Sequence, residues 1–157
     1  AIYHSKYKNQ IQLILGGLGP KEKKYKHLAK RLPIAPIFKF FARNEIIDVL
    51  NYSDLYVHPA EVELEGIACL EAIMCGKLPV VSDSKLSATK DFAVDDRCVF
   101  KCRNPKDLAR VIDFWIDNPK EKSMIEQKYL LSSQVYNQND CMQRMEEMLQ
   151  DVVNKKA

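Results

Sequence analysis

The chain has 157 residues, 46% hydrophobic and 29% charged, enough for one globular domain with a sizeable core. No stretch approaches the roughly 18 uninterrupted apolar residues of a spanning helix, and no charged leader with an apolar core marks a secretory signal. The net charge of +3 hides an asymmetry: residues 1–43 hold ten Lys/Arg against one acid, Glu22, hence +9, which leaves −6 for residues 44–157.

In chain order, the opening AIYHSKYKNQ lacks a Met and reads as the middle of a helix, so a piece of a longer protein is expected. The apolar run IQLIL (11–15) predicts a strand that ends in GGLGP (16–20), followed by a polar helix over 21–32. PIFKF (36–40) predicts the next strand, NEIIDVLNY (44–52) a helix, and DLYVH (54–58) a third strand. Residues 66–75 form a short apolar helix closed by Gly76, a C′ glycine. LPVVS (78–82) is a buried strand, a short helix follows near 87–93, and RCVF (97–100) is the last strand. From 104 onward the pattern is helical, with the C-terminal helices occupying 119–157.

Strand and helix alternating through short links imply right-handed βαβ crossovers and a parallel sheet, and strands this short and apolar are expected to be covered on both faces. Residues 1–157 therefore read as one α/β domain, a Rossmann-like doubly wound parallel sheet with a helical C-terminal tail. Ligands of such sheets sit outside the carboxyl ends of the strands, which directs attention to loops 16–20, 41–44, 59–66 and 83–87.

Five cysteines, Cys69, Cys75, Cys98, Cys102 and Cys141, are an odd number, and the C-x3-C of Cys98 and Cys102 has no paired C-x2-C or nearby His, so no zinc site is expected. Cys69 and Cys75 lie in an apolar run, where thiols behave as small buried hydrophobes, and reduced thiols fit a cytoplasmic protein. The basic segment suits an anionic partner such as a phosphorylated ligand or an acidic membrane surface, or else a solvated helix face. It lacks the interleaved aromatics and repeated Arg of a nucleic-acid module.

The most informative stretch is VELEGIACLEAIMCGKLPVVS (62–82). The loop PAEVELEG opens onto the helix at 66–75, whose N-terminal N–H groups and dipole suit a phosphate. Gly66 admits a ligand close to the backbone, and Ile67 and Ala68 offer their N–H groups there. Glu71 falls one turn further on, among Ala68, Leu70, Ala72, Met74 and Cys75. A carboxylate repels phosphate but matches two vicinal hydroxyls, so phosphate plus diol describes a nucleoside diphosphate with its ribose. Glu63, in the loop, would face whatever lies beyond the phosphates. The alternative is that Glu71 pairs with a Lys or Arg at the core edge and that Glu63 and Glu65 only complement the helix dipole.

The same stretch resembles the E-x7-E segment of family-four retaining glycosyltransferases of the GT-B fold, roughly E-x-x-G-L-x-x-L-E-A-M-A-x-G-x-P-V-V. Glu63, Gly66, Leu70, Glu71, Ala72, Gly76, Pro79, Val80 and Val81 fall on the pattern, with Ile67 for the usual Leu. LILGGLGP resembles the family's strand ending in G-x-G-P, which implies Gly17 as a donor-binding residue. KFFARNEIIDVLNYSDLYVHPA and NPKDLARVIDFWIDNP are similar to the elements that precede and follow the motif, and Tyr136 to an aromatic before the final crossing helix.

The resemblance implies the C-terminal, sugar-nucleotide-binding half of a two-domain hexosyltransferase. It implies Glu71 on the donor ribose, Glu63 as the catalytic group near the transferred sugar, and amides at Gly66, Ile67, Ala68 and Leu70 on sugar and phosphate. It further implies Phe40, Phe41 and Ala42 beside the base, a UDP-hexose (UDP-glucose) donor, and no metal or cofactor. The Arg and Lys that clamp the diphosphate in the family would lie upstream of residue 1, with the acceptor groups in an N-terminal domain, so this chain alone is expected to be inactive. His58 reads as a structural residue. SKLSATKDFAVDDRCVF (84–100) departs from the common G-G-x-x-E and resembles bacterial α-glucosyltransferases acting on membrane lipids, so the implied acceptor is a lipid or saccharide and the implied setting a peripheral one at the inner membrane face. The competing class is a non-catalytic nucleotide- or phospholigand-binding Rossmann module.

Overall fold

A computed structural model describes residues 1–155, and the last two residues of the expected 119–157 helical region lie outside the described residues. Strands β1 (Ile14–Gly16), β2 (Ile37–Lys39) and β3 (Tyr56–His58) alternate with helices α1 (Glu22–Ala29) and α2 (Arg43–Tyr52). After β3 come a two-residue strand β4 (Val62–Glu63), helix α3 (Ile67–Met74), β5 (Pro79–Ser82), a second two-residue strand β6 (Leu86–Ser87) and β7 (Val99–Phe100). Helices α4 (Pro105–Asp117), α5 (Pro119–Ser132) and α6 (Gln138–Asn154) form the tail.

Every strand pair is parallel, as the alternation requires, because a helical crossover returns the chain in the same direction. Hydrogen bonding divides the strands into β1–β2, β3–β5–β7 and a small β4–β6 ladder. The central group pairs Val57 with Val80 and Val81 with Val99. Only β5 is buried throughout; β1 and β2 remain half open, which corrects the expectation of strands covered on both faces. The cause lies in α1, whose EKKYKHLA sequence supplies no apolar stripe wide enough to cover them and buries none of its residues.

The first residues also differ from expectation. Instead of a helix interior they form a 3-10 turn, Ile2–His4, that docks on α4. The Ser5 hydroxyl donates to Asp113, the Lys6 N–H reaches Asp113 Oδ2 at 3.1 Å, and Lys6 Nζ pairs with Asp117 Oδ2 at 2.5 Å. The short helix expected near 87–93 is a 3-10 turn, Ala88–Phe92.

The core gathers where α3, α4 and α5 cover the central strands. Ile73, Leu78, Val80, Val81, Val111, Trp115 and Tyr129 are buried there with Cys69 and Cys98. Burial pushes both thiols up to about 12, so they stay protonated and act as small hydrophobes. Cys75 is only half-buried, contrary to its expected place in the core, because it lies past the last helical turn. Helix α4 starts on Asn104, whose Oδ1 accepts from Lys106 N–H at 3.1 Å and Asp107 N–H at 3.0 Å, with Pro105 in the first turn.

Candidate functional site

Helix α3 carries the E-x7-E segment and is fixed at both ends by glycine. At its C-terminus Gly76 has φ 71°, its N–H bonds Ile73 O at 2.8 Å, and Lys77 N–H bonds Ala72 O at 2.9 Å. This is a Schellman stop, and it matches the C′ glycine expected from sequence. At its N-terminus Gly66 has φ 71° and ψ 36°, the left-handed region. A Cβ there would approach Thr89 Cγ2 to 2.6 Å, so the position needs glycine twice over, for its dihedral and for its space. The backbone turn at Gly66 packs directly on the Ala88–Phe92 turn, and its carbonyl accepts from Cys69 and Leu70 N–H at 2.8 and 3.0 Å. Among the described residues the N–H groups of Ile67 and Ala68 have no acceptor, which leaves a positive helix end open to solvent.

The faces of α3 are sharply divided. Cys69, Ala72 and Ile73 point into the core, while Ile67, Ala68, Glu71 and Met74 share the exposed face. Glu71 is therefore not an internal carboxylate, as its apolar neighbours in sequence suggested: Leu70 and Ala72, one residue away, project elsewhere, and Ala68 and Met74 share its exposed face. Nor does it pair with a cation: among the described residues no Lys, Arg or His lies within ion-pair distance and no hydrogen bond reaches its side chain.

Glu63 has the opposite setting. It sits in β4, opposite Ser87 of β6, with Val62 opposite Leu86. Gly66 N–H donates to Glu63 Oε1 at 3.3 Å, and His58 Nε2 lies 3.3 Å from Glu63 Oε2, a close contact without hydrogen-bond angles. The Gly66 N–H foremost, and His58 behind it, hold the carboxyl below the ordinary carboxylate range against an opposing cost of burial. Tyr56, two residues before His58 on β3, places its hydroxyl 2.9 Å from His58 Nδ1.

The loop bearing Glu63 is clamped from outside as well. Ser84 Oγ donates to Glu61 O at 2.6 Å, and Arg103 pairs with the Glu61 carboxylate. Arg103 follows β7 with φ 59°, the one non-glycine residue in the left-handed region among those described. Val62, Leu64 and Leu86 project outward beside Glu63 and are mostly exposed.

The remaining candidates form a second group, at the carboxyl ends of β1 and β2. Gly17, with φ 120°, is exposed, and its N–H is taken by Lys39 O at 3.0 Å. Phe41 packs over Gly16, where a Cβ would meet its ring at 3.3 Å, while Phe40 is exposed. The Ala42 N–H donates to Glu45 Oε2 at 2.8 Å and so is occupied as the cap of α2. No hydrogen bond or ion pair joins this group to the Glu63–Glu71 group among the described residues.

Tyr56, Ser84, Ser87 and Arg103 were missed in the sequence. The i, i+2 spacing of Tyr56 and His58 on one strand was the available signal for a shared face. Nothing about an Arg in a loop announces a left-handed backbone. Among the described residues no group of three or more His, Cys, Asp or Glu could hold a metal ion, and no helix is long and apolar enough to cross a membrane.

Residues 1–130 match the family described as glycosyl transferases group 1. The catalytic domain of cholesterol-alpha-glucosyltransferase from Helicobacter pylori is 46% identical and superposes with a TM-score of 0.83, covering 87% of this chain and 86% of that one. The N,N'-diacetylbacillosaminyl-diphospho-undecaprenol alpha-1,3-N-acetylgalactosaminyltransferase of Campylobacter jejuni is 29% identical over 103 residues, 66% of this chain. That stretch is 27% of the longer protein, so the chain spans only about a quarter of this curated relative. Anabaena Alr3699/HepE, solved in complex with UDP-glucose, shares the fold at 20% identity, with a TM-score of 0.80 over 90% of this chain and 41% of that one.

Proposed function

Since the chain belongs to the glycosyl transferases group 1 family, we propose that it is the sugar-nucleotide-binding domain of a retaining hexosyltransferase that takes glucose from UDP-glucose. The observation that carries this reading is the pair of glutamates flanking an open helix end: Glu63 fixed by Gly66 and His58, and Glu71 exposed and unpaired one turn beyond free Ile67 and Ala68 N–H groups.

In this reading the diphosphate lies against the N-terminus of α3, where the two free N–H groups stabilise the charge that develops as the sugar–phosphate bond breaks. Glu71 accepts both ribose hydroxyls, Glu63 faces the sugar, and the exposed Phe40 and the Phe41 backbone border the base. The anomeric carbon exchanges its bond to the diphosphate for one to the acceptor oxygen on the same face, and UDP departs with the electron pair and takes up the acceptor hydroxyl's proton. No metal or cofactor takes part. Further cations for the diphosphate come from a strand and loop upstream of residue 1, and the groups that hold the acceptor from an N-terminal domain of the full-length protein.

The acceptor is lipidic. Val62, Leu64 and Leu86 make the exposed surface of the loop that carries Glu63 apolar, and the H. pylori and C. jejuni relatives bear the names of a sterol and a polyprenol-diphosphate glycosyltransferase. The ten Lys/Arg of residues 1–43 favour attachment to an anionic membrane surface from the cytoplasmic side, which co-sedimentation with anionic vesicles at low and high salt would check.

The decisive experiment is calorimetry of the full-length protein with UDP and UDP-glucose, together with a transfer assay to sterol, diacylglycerol and saccharide acceptors with and without EDTA. UDP binding with EDTA-insensitive transfer and an α-linked product is expected. UDP binding without transfer to any acceptor would favour a nucleotide-binding module, and an inverted product would overturn retention.

A further inference from the structure

Three elements converge on Glu63. From β3 come Tyr56 and His58, whose side chains share a face, with the Tyr56 hydroxyl 2.9 Å from Nδ1. From the opposite edge of the imidazole, Nε2 faces Glu63 Oε2 at 3.3 Å, and from the start of α3 the Gly66 N–H reaches Oε1. One carboxylate oxygen thus accepts a hydrogen bond from the start of α3 while the other lies against a buried imidazole nitrogen that has no other partner, so the group is approached from two sides. A glutamate on a two-residue strand has three rotatable side-chain bonds, and without such partners it would spread over several rotamers.

His58 itself is not placed to touch a ligand. Its side chain is 13% exposed, against 32% for Glu63, and Nε2 is buried. The proton arrangement follows from chemistry. Glu63 can only accept, so the proton of a neutral imidazole belongs on Nε2; Nδ1 is then a bare acceptor and takes the Tyr56 O–H. Burial foremost, then the nearby Cys69, Glu71 and Glu63, raises the Tyr56 phenol well above its ordinary value, so it keeps the proton it donates.

The geometry points to Tyr56 and His58 as positioning residues for Glu63: a phenol–imidazole–carboxylate chain in which Tyr56 selects the Nε2–H form of His58, and His58 turns the carboxylate toward the sugar. The inference rests on the reading of Glu63 as the sugar-facing group.

The test uses the full-length protein and the variants Tyr56→Phe, His58→Ala and His58→Gln, whose amide can offer a donor where Nε2 was. With UDP-glucose as donor, His58→Ala is expected to lower kcat on the order of 10- to 100-fold, since displacement by about 1 Å is enough for such a loss. UDP affinity should stay within about twofold, because the lost interaction belongs to the reacting sugar and not to nucleotide binding. His58→Gln should recover part of kcat. Tyr56→Phe should cost less than His58→Ala and add nothing in the His58→Ala background, as expected of residues acting in series. An unchanged kcat in His58→Ala, or a loss confined to UDP affinity, would overturn the proposal.

A second readout does not depend on transfer. Nitrogen shifts of the labelled imidazoles at about pH 8, where an ordinary histidine is neutral, should show His58 as Nε2–H, with Tyr56→Phe shifting it toward Nδ1–H. A wild-type Nδ1–H form would overturn the chain directly. If the wild-type protein neither binds UDP nor transfers sugar, the functional reading fails, and these shifts alone decide whether the chain exists.

Discussion

Glu71 is the residue whose meaning changed most between sequence and structure. Its neighbours Ala68, Leu70, Ala72, Met74 and Cys75 suggested an enclosed carboxylate, yet on a helix adjacent residues diverge by about 100°, and only Ile67, Ala68 and Met74 share its outward face. The motif was legible because spacing survives any misjudgement of burial; the burial itself was not, because an all-apolar helix carries no stripe to show which side faces out. An exposed, unpaired side chain supports little of the fold. Glu71→Ala should therefore leave urea unfolding within about 0.5 kcal/mol of wild type while weakening UDP by about tenfold or more, given roughly 1.5–3 kcal/mol for a hydrogen bond to a charged group. Calorimetry and unfolding on the same sample separate the two effects, and a variant that unfolds early but binds UDP normally would reverse the assignment. Gly66 should behave in the opposite way. Its φ of 71° and the 2.6 Å approach of a Cβ to Thr89 make Gly66→Ala a stability variant, costing on the order of 2 kcal/mol in urea unfolding from left-handed strain and overpacking.

At the level of elements, strand centres and helix order were readable from alternating apolar runs, and the stop of α3 from Gly76. The two-residue strands β4 and β6 were not, since two residues cannot display a period. Nor was the 3-10 turn at Ile2–His4, which is followed by Ser5 and Lys6 bound to Asp113 and Asp117, more than a hundred residues away. The loop that carries Glu63 owes its order to these unreadable contacts: the β4–β6 ladder, the Ser84 bond to Glu61 O, and the Arg103–Glu61 pair. Arg103 holds its φ of 59° at a cost of roughly 1 kcal/mol, about as much as an exposed ion pair returns at most. Arg103→Gly should accordingly fold at least as stably as wild type, while amides of residues 59–66 exchange faster with deuterated solvent. Unaltered exchange in that segment would mean that the pair does not hold the loop.

For the molecule as a whole, ion pairs tie several acids to bases across the fold. Arg97 holds Asp95, Arg110 holds Asp107 and Lys6 holds Asp117 below the ordinary carboxylate range. Because these folded-state values are depressed, the unfolded chain takes up protons first as pH drops below about 4. The stability they contribute is complete above that point and is lost as pH falls toward the folded values. The urea midpoint should hold steady from neutral pH to about 5 and then fall, and Asp117→Asn should flatten part of that fall. A midpoint that rose on acidification would contradict the arrangement. The pairing of Glu63 with Ser87 and of Val62 with Leu86 also limits how the chain can vary in length. One residue inserted between Ser82 and Leu86 would bring a new side chain into register with Glu63 and exchange the inward and outward sides of β6. The stretch after β5 looks like an ordinary surface connection, where insertions are usually tolerated, yet its residue count is tied to a carboxylate some twenty positions earlier.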